Sequence, residues 1–420
     1  MIDFKLMNVK SKTVLFWAGA VLLMVLASIL YQPAAARTGS LLVWTRNHIY
    51  VMDIDSLSLE RIGPAAAGEP ITPSPGCFGA APTPCWVAVS NRLYRVEVSA
   101  GGTDVEELTL PLDDGYKWAN GVVSWSPDGV HLAYSVRNAD ADRHQLRVLS
   151  VPDGQIAITA DDADPEVAVA WRAACADGLT AENCEIGYKK MPAQQEQGGF
   201  LATLVGFSPA TRQVRQWSVS PERLFELRWA GDELLYSRPK RNFLFAADHT
   251  PAYHLPPGAK LANMSPDAEH TVYYQPFTLT DCQQGDHPEN CMHLGVWLEK
   301  SRADNDRSLI YSVDLTHQSA GLNFVPVWAP AGQAFVFFQE GKLIYYDIEK
   351  QEATIWYKGL QGKLRSLPVF SPNEEAVAFV DSQGQGFSQY RLVVVNPRLQ
   401  PVENIIDTTD GFKVLAWLPN

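Results

Sequence analysis

The chain has 420 residues, 46% of them hydrophobic and 19% charged. That is enough apolar material for a large core, and it excludes global disorder. Lys and Arg number 34 against 47 Asp and Glu, a net charge of −13, the reverse of the balance that a general nucleic-acid binder carries.

At the amino terminus, Lys5, Lys10 and Lys12 precede an uncharged apolar run of 17 residues, Val14 to Leu30. As a helix it would reach about 25 Å, short for a bilayer span and long for the apolar part of a signal peptide. The positive flank places the amino terminus in the cytoplasm and the rest of the chain outside it. The run length points to a retained single-pass anchor. Ala34-Ala35-Ala36 is acceptable to signal peptidase, so cleavage before Arg37, and secretion, is the alternative. Residues 1–36 carry a net +2, which leaves −15 on residues 37–420, an acidic body expected in the periplasm or outside the cell.

Six cysteines form three close pairs: Cys77 with Cys85, Cys175 with Cys184, and Cys282 with Cys291. The repeated spacing, the turn-rich intervals and the exported compartment favour three local disulfides. His287 and His293 beside the third pair suggest zinc as the alternative there. The spacing fits no common zinc pattern and the other pairs lack such histidines, so no metal and no cofactor is expected.

From residue 41 onward a phrase recurs: an aromatic, a small residue, Pro, a turn, then an alternating apolar strand. It stands at Trp125-Ser126-Pro127-Asp128-Gly129, Met264-Ser265-Pro266-Asp267, Trp328-Ala329-Pro330-Ala331-Gly332 and Phe370-Ser371-Pro372-Asn373. Trp229-Ala230-Gly231-Asp232 is a shortened copy, and Trp171 a weaker one without Pro that runs into the second cysteine pair. Pro presets the second turn position, Asp or Asn suits the third, and Gly releases the chain into the next strand. The following strand sets a small residue between large ones, as in Leu132-Ala133-Tyr134, which close sheet stacking requires. Third and fourth strands follow, for example Lys342 to Asp347 and Ala353 to Tyr357. Four strands per phrase make a propeller blade.

Ile71 to Pro111 reads as a further blade carrying the first cysteine pair. Leu41 to Trp44, His48 to Asp53 and Ser58 to Ile62 lack a fourth strand, which the segment around Trp417 supplies. The fold expected is therefore all-β: a propeller of eight four-stranded blades over residues 37–420, with the ring closed by the carboxyl-terminal strand and one hydrophobic helix before it. Eight blades give 47.5 residues each over residues 41–420 and seven give about 54. Known blades repeat at roughly 40–45, so seven is the alternative.

The phrase resembles the TolB-like (WD40-like PD40) propeller repeat, on Trp125 to Tyr134, Met264 to Tyr274, Trp328 to Phe337 and Phe370 to Phe379. The resemblance implies a propeller in an exported compartment. It does not extend to the separate α/β domain that TolB carries, nor to the hydrolase domain of dipeptidyl-peptidase-like enzymes.

Catalytic motifs do not emerge. There is no Gly-x-Ser-x-Gly, no P-loop and no His-Glu-x-x-His. Ser208 before Pro209 reads as a turn serine, and Gly384-Gln385-Gly386 as a hairpin loop. Asp113-Asp114 and Asp161-Asp162 with Asp164 fit calcium less well than solvated loops. Trp125, Trp171, Trp229, Trp328 and Trp417 hold the repeat position and are expected in the core. Tyr116, Trp118, Tyr253 and Phe387 fall outside the pattern, read as connections, and are the candidate binding residues. The expectation is an interaction module that binds protein or envelope polymer, held to the membrane through Val14–Leu30, with no nucleic-acid partner and no catalytic residue. A propeller enzyme or small-ligand binder using the central channel is the alternative.

Overall fold

The computed structural model describes residues 39–419 except 80–83, 100, 120–121, 140–142, 192–201, 220–225, 238–242, 247–250, 255, 257–258, 268, 279–291, 301–305, 315–325, 340, 360–363, 383–388, 399–400 and 408–410. The apolar run Val14–Leu30, Cys282, Cys291, Gly384-Gln385-Gly386 and Phe387 lie outside the described residues. Among the described residues no helix is long and apolar enough to cross a membrane.

The regular structure of the described residues is nearly all strand, with two short 3-10 helices, Pro75–Phe78 and Ala173–Asp177. The first sheet takes β1 (Ser40–Thr45), β2 (His48–Asp53) and β3 (Leu59–Pro64); the second takes β4 (Ile71–Pro73), β5 (Cys85–Val89), β6 (Arg92–Ser99) and β7 (Gly102–Thr109). The third takes β8 (Tyr116–Trp118), β9 (Ser124–Trp125), β10 (His131–Asn138), β11 (His144–Ser150) and β12 (Gln155–Asp161). The fourth takes β13 (Ala170–Trp171), β14 (Ile186–Lys190), β15 (Ala202–Phe207) and β16 (Val214–Val219). The fifth takes β17 (Glu226–Ala230), β18 (Glu233–Ser237), β19 (Phe243–Ala246) and β20 (Pro251–His254). The sixth takes β21 (Lys260–Met264), β22 (His270–Thr278), β23 (Met292–Lys300) and β24 (Arg307–Asp314). The seventh takes β25 (Val327–Trp328), β26 (Ala334–Gln339), β27 (Lys342–Asp347) and β28 (Glu352–Lys358); the eighth takes β29 (Leu364–Phe370), β30 (Val377–Ser382), β31 (Gln389–Val395) and β32 (Val402–Asp407). The last strand, β33 (Phe412–Leu418), does not add to the eighth sheet but pairs antiparallel with β1, so the first sheet has the order β3-β2-β1-β33.

Apart from β33, the strands within each sheet pair antiparallel in chain order. The third sheet differs from the simple expectation. Its first strand is broken in two, and β8 and β9 pair with opposite ends of β10.

Period-two alternation sends each central strand's side chains to two different neighbours. On β1, Leu42 and Trp44 join a core with the second sheet, while Leu41 and Val43 join one with the eighth. On β10, Leu132 and Tyr134 face the second sheet and Ala133 faces the fourth. On β30, Val377 and Phe379 face the seventh sheet, and Ala378 faces the first. The small residue flanked by large ones thus marks the side where the next sheet approaches closely. Further shared cores join the fourth sheet to the fifth and the sixth to the seventh. The fifth and sixth are linked by a hydrogen bond from Arg228 Nη1 to the Met264 carbonyl at 3.1 Å.

The recurring turns follow from their residues. Gly129 N–H donates to the Ser126 carbonyl at 2.9 Å, and Gly129 has a left-handed φ of 71°, which suits glycine. Ser126 Oγ accepts from His131 N–H at 2.9 Å, and the Asp128 carboxylate accepts from Val130 N–H at 3.0 Å and from Ser126 Oγ. Ser265 with Asp267, and Ser371 with Asn373, repeat the arrangement. The acids of the phrase are therefore turn formers, as read from the sequence.

Candidate functional site

The turn that follows the first strand of each sheet is also where the chain is embellished. Among the described residues two disulfides are formed, Cys77–Cys85 and Cys175–Cys184. Both sit in this turn, in the second and fourth sheets. Ser74 N–H donates to the Trp86 carbonyl at 2.7 Å and Ser74 Oγ accepts from Trp86 N–H at 3.0 Å, the same bonds that Ser126 makes with His131. Cys77 N–H donates to the Ser74 carbonyl at 2.9 Å, where Gly129 bonds Ser126. Ser74-Pro75-Gly76 is thus a further copy of the phrase, interrupted by a stapled insertion. In the fourth sheet Arg172 takes the serine's place: its N–H donates to Glu185 O at 3.0 Å, and Cys175 N–H donates to Arg172 O at 2.9 Å.

The first strands are stitched to one another across sheets. The Trp125 indole N–H donates to the Thr72 carbonyl at 2.9 Å, that of Trp229 to Ala170 at 3.2 Å, and that of Trp328 to Asn263 at 3.2 Å. In each case the tryptophan of one sheet reaches back to the first strand of the sheet before it. Ser124 Oγ to the Val169 carbonyl at 2.8 Å, and Asn263 Nδ2 to the Pro326 carbonyl at 2.8 Å, stitch forward. Carbonyls that an unpaired strand edge would leave bare are thereby satisfied.

These strand ends surround a cavity of about 960 Å³. Its wall is Trp125, Trp171, Trp229 and Trp328, with Arg172, Arg228 and Asn263 among them. Its rim includes Pro75, Pro127, Ala173, Gly231 and Pro266, from the turns of five sheets. Both stapled turns reach it, through Pro75 and through Ala173, Ala174 and Ala176. The size matches pockets that enclose small ligands or grip a protruding segment. Apolar ring surface with a few cationic donors suits a ligand with a flat or apolar body and polar or anionic edges.

Beside it lies a second, more polar cavity of about 470 Å³, to which Arg172 also belongs. Here Glu185 accepts from Arg215 Nε at 2.8 Å and pairs with Arg172 at 3.6 Å, while Arg172 also pairs with Asp232. The two guanidinium groups lie 6.0 and 5.6 Å from the Trp229 ring centroid. This network fixes the second stapled turn against the fifth sheet.

The tryptophans expected in the core are there: Trp125, Trp229, Trp328 and Trp417 are at most 8% exposed. Trp171 is half-buried, and four of the five repeat tryptophans also wall the cavity. Core and candidate site therefore share residues that the sequence assigned to the core alone. Tyr116 and Trp118 lie in β8, not in a connection. Tyr116 packs beneath the Arg147 guanidinium, 4.6 Å from the ring centroid, and Trp118 stacks on Tyr134 at 5.7 Å. Alternation along β8 turns both rings toward neighbours, which a three-residue strand hides from pattern reading. Tyr253 falls in β20, and Phe387 lies outside the described residues.

The acidic clusters are engaged by cations and neighbours. Asp113 meets Arg147 at 2.7 Å, Asp164 meets Lys189 at 2.6 Å, and Asp161 accepts from Gln145 at 3.0 Å. Ser208 is a turn residue, its N–H donating to the Gln213 carbonyl at 3.0 Å. His293, of the third cysteine cluster, stands in β23 with its ring 5.9 Å from Phe277. Arg172 and Arg228, which the sequence reading passed over, directly follow and precede repeat tryptophans; that adjacency was their only signal.

No family model matches the chain, and no curated protein matches it. Solved structures do. A crystal structure of the eukaryotic initiation factor aligns with a TM-score of 0.50 at 9% identity, over 90% of this chain and 98% of that one. Oligogalacturonate lyase in complex with manganese aligns at 0.47 and 10% identity, over 86% and 98%. TolB from Acinetobacter baumannii aligns at 0.33 and 14% identity, over 89% and 79%. At such identities the likeness is one of fold alone, and that fold is propeller-like.

Proposed function

We propose that the chain is an eight-bladed propeller, closed by β1 and β33, that acts outside the cytoplasmic membrane as an interaction module for a protein or an envelope polymer. Residues 1–36 hold it to the membrane, and residues 37–420 form the ring. The blade count is supported by eight described sheets joined in chain order and back from the eighth to the first, by shared cores at every junction but the fifth to sixth, where the Arg228–Met264 hydrogen bond makes the link. The anchor is supported by the lysine-flanked run Val14–Leu30, and the exported compartment by the two disulfides.

The observation that carries the functional reading is the cavity at one mouth of the ring. Six sheets contribute to it, and disulfides staple the turns of two of them at its rim. A rigid, recessed, ring-lined depression is what a binding module offers to a protruding partner segment. The test is affinity purification of the tagged full chain from native membranes in mild detergent, after brief cross-linking. A reproducible, near-stoichiometric partner is expected. Recovery of the chain alone would overturn the reading. It would favour the second one, a small-ligand or enzymatic use of the same cavity, which its volume also suits.

A further inference from the structure

The described chain enters the ring on the side that carries the cavity. Ser40, which opens β1, pairs with Leu418, which ends β33. Gly39, just before it, lies against the Trp417 indole with no room for a side chain, and its carbonyl accepts from Ile54 N–H at 3.2 Å. The first stapled turn packs on β33 beside this point, and its Gly79 lies against Pro372 in the turn of the eighth sheet. The same stapled turn gives Pro75 to the cavity. Eight residues, 31–38, separate the apolar run Val14–Leu30 from Gly39. Fully extended, such a tether reaches about 30 Å. With the run in the bilayer, it holds this side of the ring next to the membrane.

We infer that the cavity faces the membrane and receives an extracytoplasmic segment of an integral membrane protein, with an apolar tip flanked by basic residues. The inference rests on the anchor and interaction readings above, and adds the partner's location and chemistry. Inside the cavity the cations are already engaged, Arg172 by Glu185 and Asp232, and Arg228 by the Met264 carbonyl. The indole N–H groups of Trp125, Trp229 and Trp328 are given to main-chain carbonyls. The wall therefore offers ring surface, which takes an apolar or aromatic tip. The rim differs. The turns between first and second strands hold a single base, Arg172, against nine acids. Asp177, Glu182, Asp267 and Glu269 among them are exposed, and Asp267 lines the cavity. The described connections between third and fourth strands carry Arg212, Lys350 and Arg398 against Asp55, Asp153, Asp306 and Glu349. Lys350 pairs with Asp347 and Arg398 with Glu375. Such a rim attracts cations and steers them to the cavity.

The bilayer itself fits this surface poorly. Surfaces that rest on lipid present exposed aromatic and basic side chains. Here Trp125, Trp229 and Trp328 are recessed and the rim is acidic. Among the described residues, none of the exposed large hydrophobics belongs to these turns. A recessed wall needs a segment that protrudes into it, and a partner embedded in the same membrane supplies one within reach of the tether.

The test uses the full chain in liposomes. For orientation, a fluorescent amino acid is placed at Ala173 on the cavity rim, or at Asp114 before the first strand of the third sheet, at the other end of the strands. An acceptor dye sits on the lipid headgroups. Stronger energy transfer from Ala173 is expected, and equal transfer, or more from Asp114, would overturn the inference. For the occupant, a photoreactive residue at Ala173 is combined with a synthetic leucine-rich membrane span whose outer tail carries Phe-Pro-Phe between lysines. An adduct is expected. D177K/E182K should lower its yield about tenfold or more, because like charges then face the tail. D104K/E107K makes the same charge change on β7, the last strand of the second sheet, and should leave the yield unchanged. If D177K/E182K does not fold, D177N/E182Q carries the test, with a smaller loss in the same direction. Lipid adducts alone, equal loss in both double variants, or an equal adduct with glutamates in place of the lysines would each overturn the inference. Neither arm uses a native partner, so these failures are distinct from failure to recover a partner from membranes, which tests the interaction reading.

Discussion

Trp125, Trp229 and Trp328 each combine a buried ring with an indole N–H given to the main chain of the preceding sheet. Replacing any one by Phe keeps most of the apolar contact, removes the donor and leaves a carbonyl bare. Each substitution should cost about 1–2 kcal/mol in chemical denaturation, and an unchanged midpoint would show that the stitch does not stabilise. The Asp128 carboxyl behaves differently. Burial acts to raise it, but hydrogen bonds from His131, Ser126 and the Val130 N–H outweigh that and hold it below the usual carboxylate range. A lowered folded value stabilises above the unfolded value near 3.9, and that contribution is lost as pH falls through the folded value. Amide exchange at Val130 should accelerate below about pH 4 beyond its intrinsic trend. Glu375, beside the neutral Asn373 of the matching turn, should show no such excess. Equal behaviour at both turns would contradict the assignment.

The two stapled turns are the elements in which this chain departs most from a plain repeat. Each disulfide closes a short loop, at separations of 8 and 9 residues. Removing Cys175 and Cys184 together by Ser substitution should cost about 2–3 kcal/mol. Limited proteolysis should then cut first between residues 175 and 184, with the other sheets intact. The phrase itself was legible because Pro, Asp and Gly act through local turn chemistry. Ser74-Pro75-Gly76 escaped notice because Pro73 stands where an aromatic stands elsewhere, and the cysteine insertion separates the turn from its strand. Strands of two or three residues, such as β8, β9 and β13, hold too few positions for alternation to register. The stitches and the cavity were not legible at all. The stitches join residues 45 to 65 positions apart, and no local spacing announces which carbonyl a side chain will meet.

At the scale of the whole molecule, the pairing of β1 with β33 decides whether the sheets make a ring or an open stack. Ala378 of the eighth sheet packs in one core with Leu41, Val43 and Trp417 of the first. Ala378→Leu should overpack that junction and cost about 1–3 kcal/mol, and a neutral result would mean that the two sheets are not in close contact. The tryptophan-walled cavity lies at the turns that follow the first strands, two of them stapled by disulfides. The central claim is that this cavity is the working face. The measurement that bears on it most directly is site-resolved photo-cross-linking in native membranes, with a photoreactive residue at Ala174 on the cavity rim or at Ile355 on an exposed outer strand. The account predicts a discrete adduct of one partner from Ala174 and none from Ile355. Adducts from Ile355 alone, or the same adducts from both positions, would contradict it.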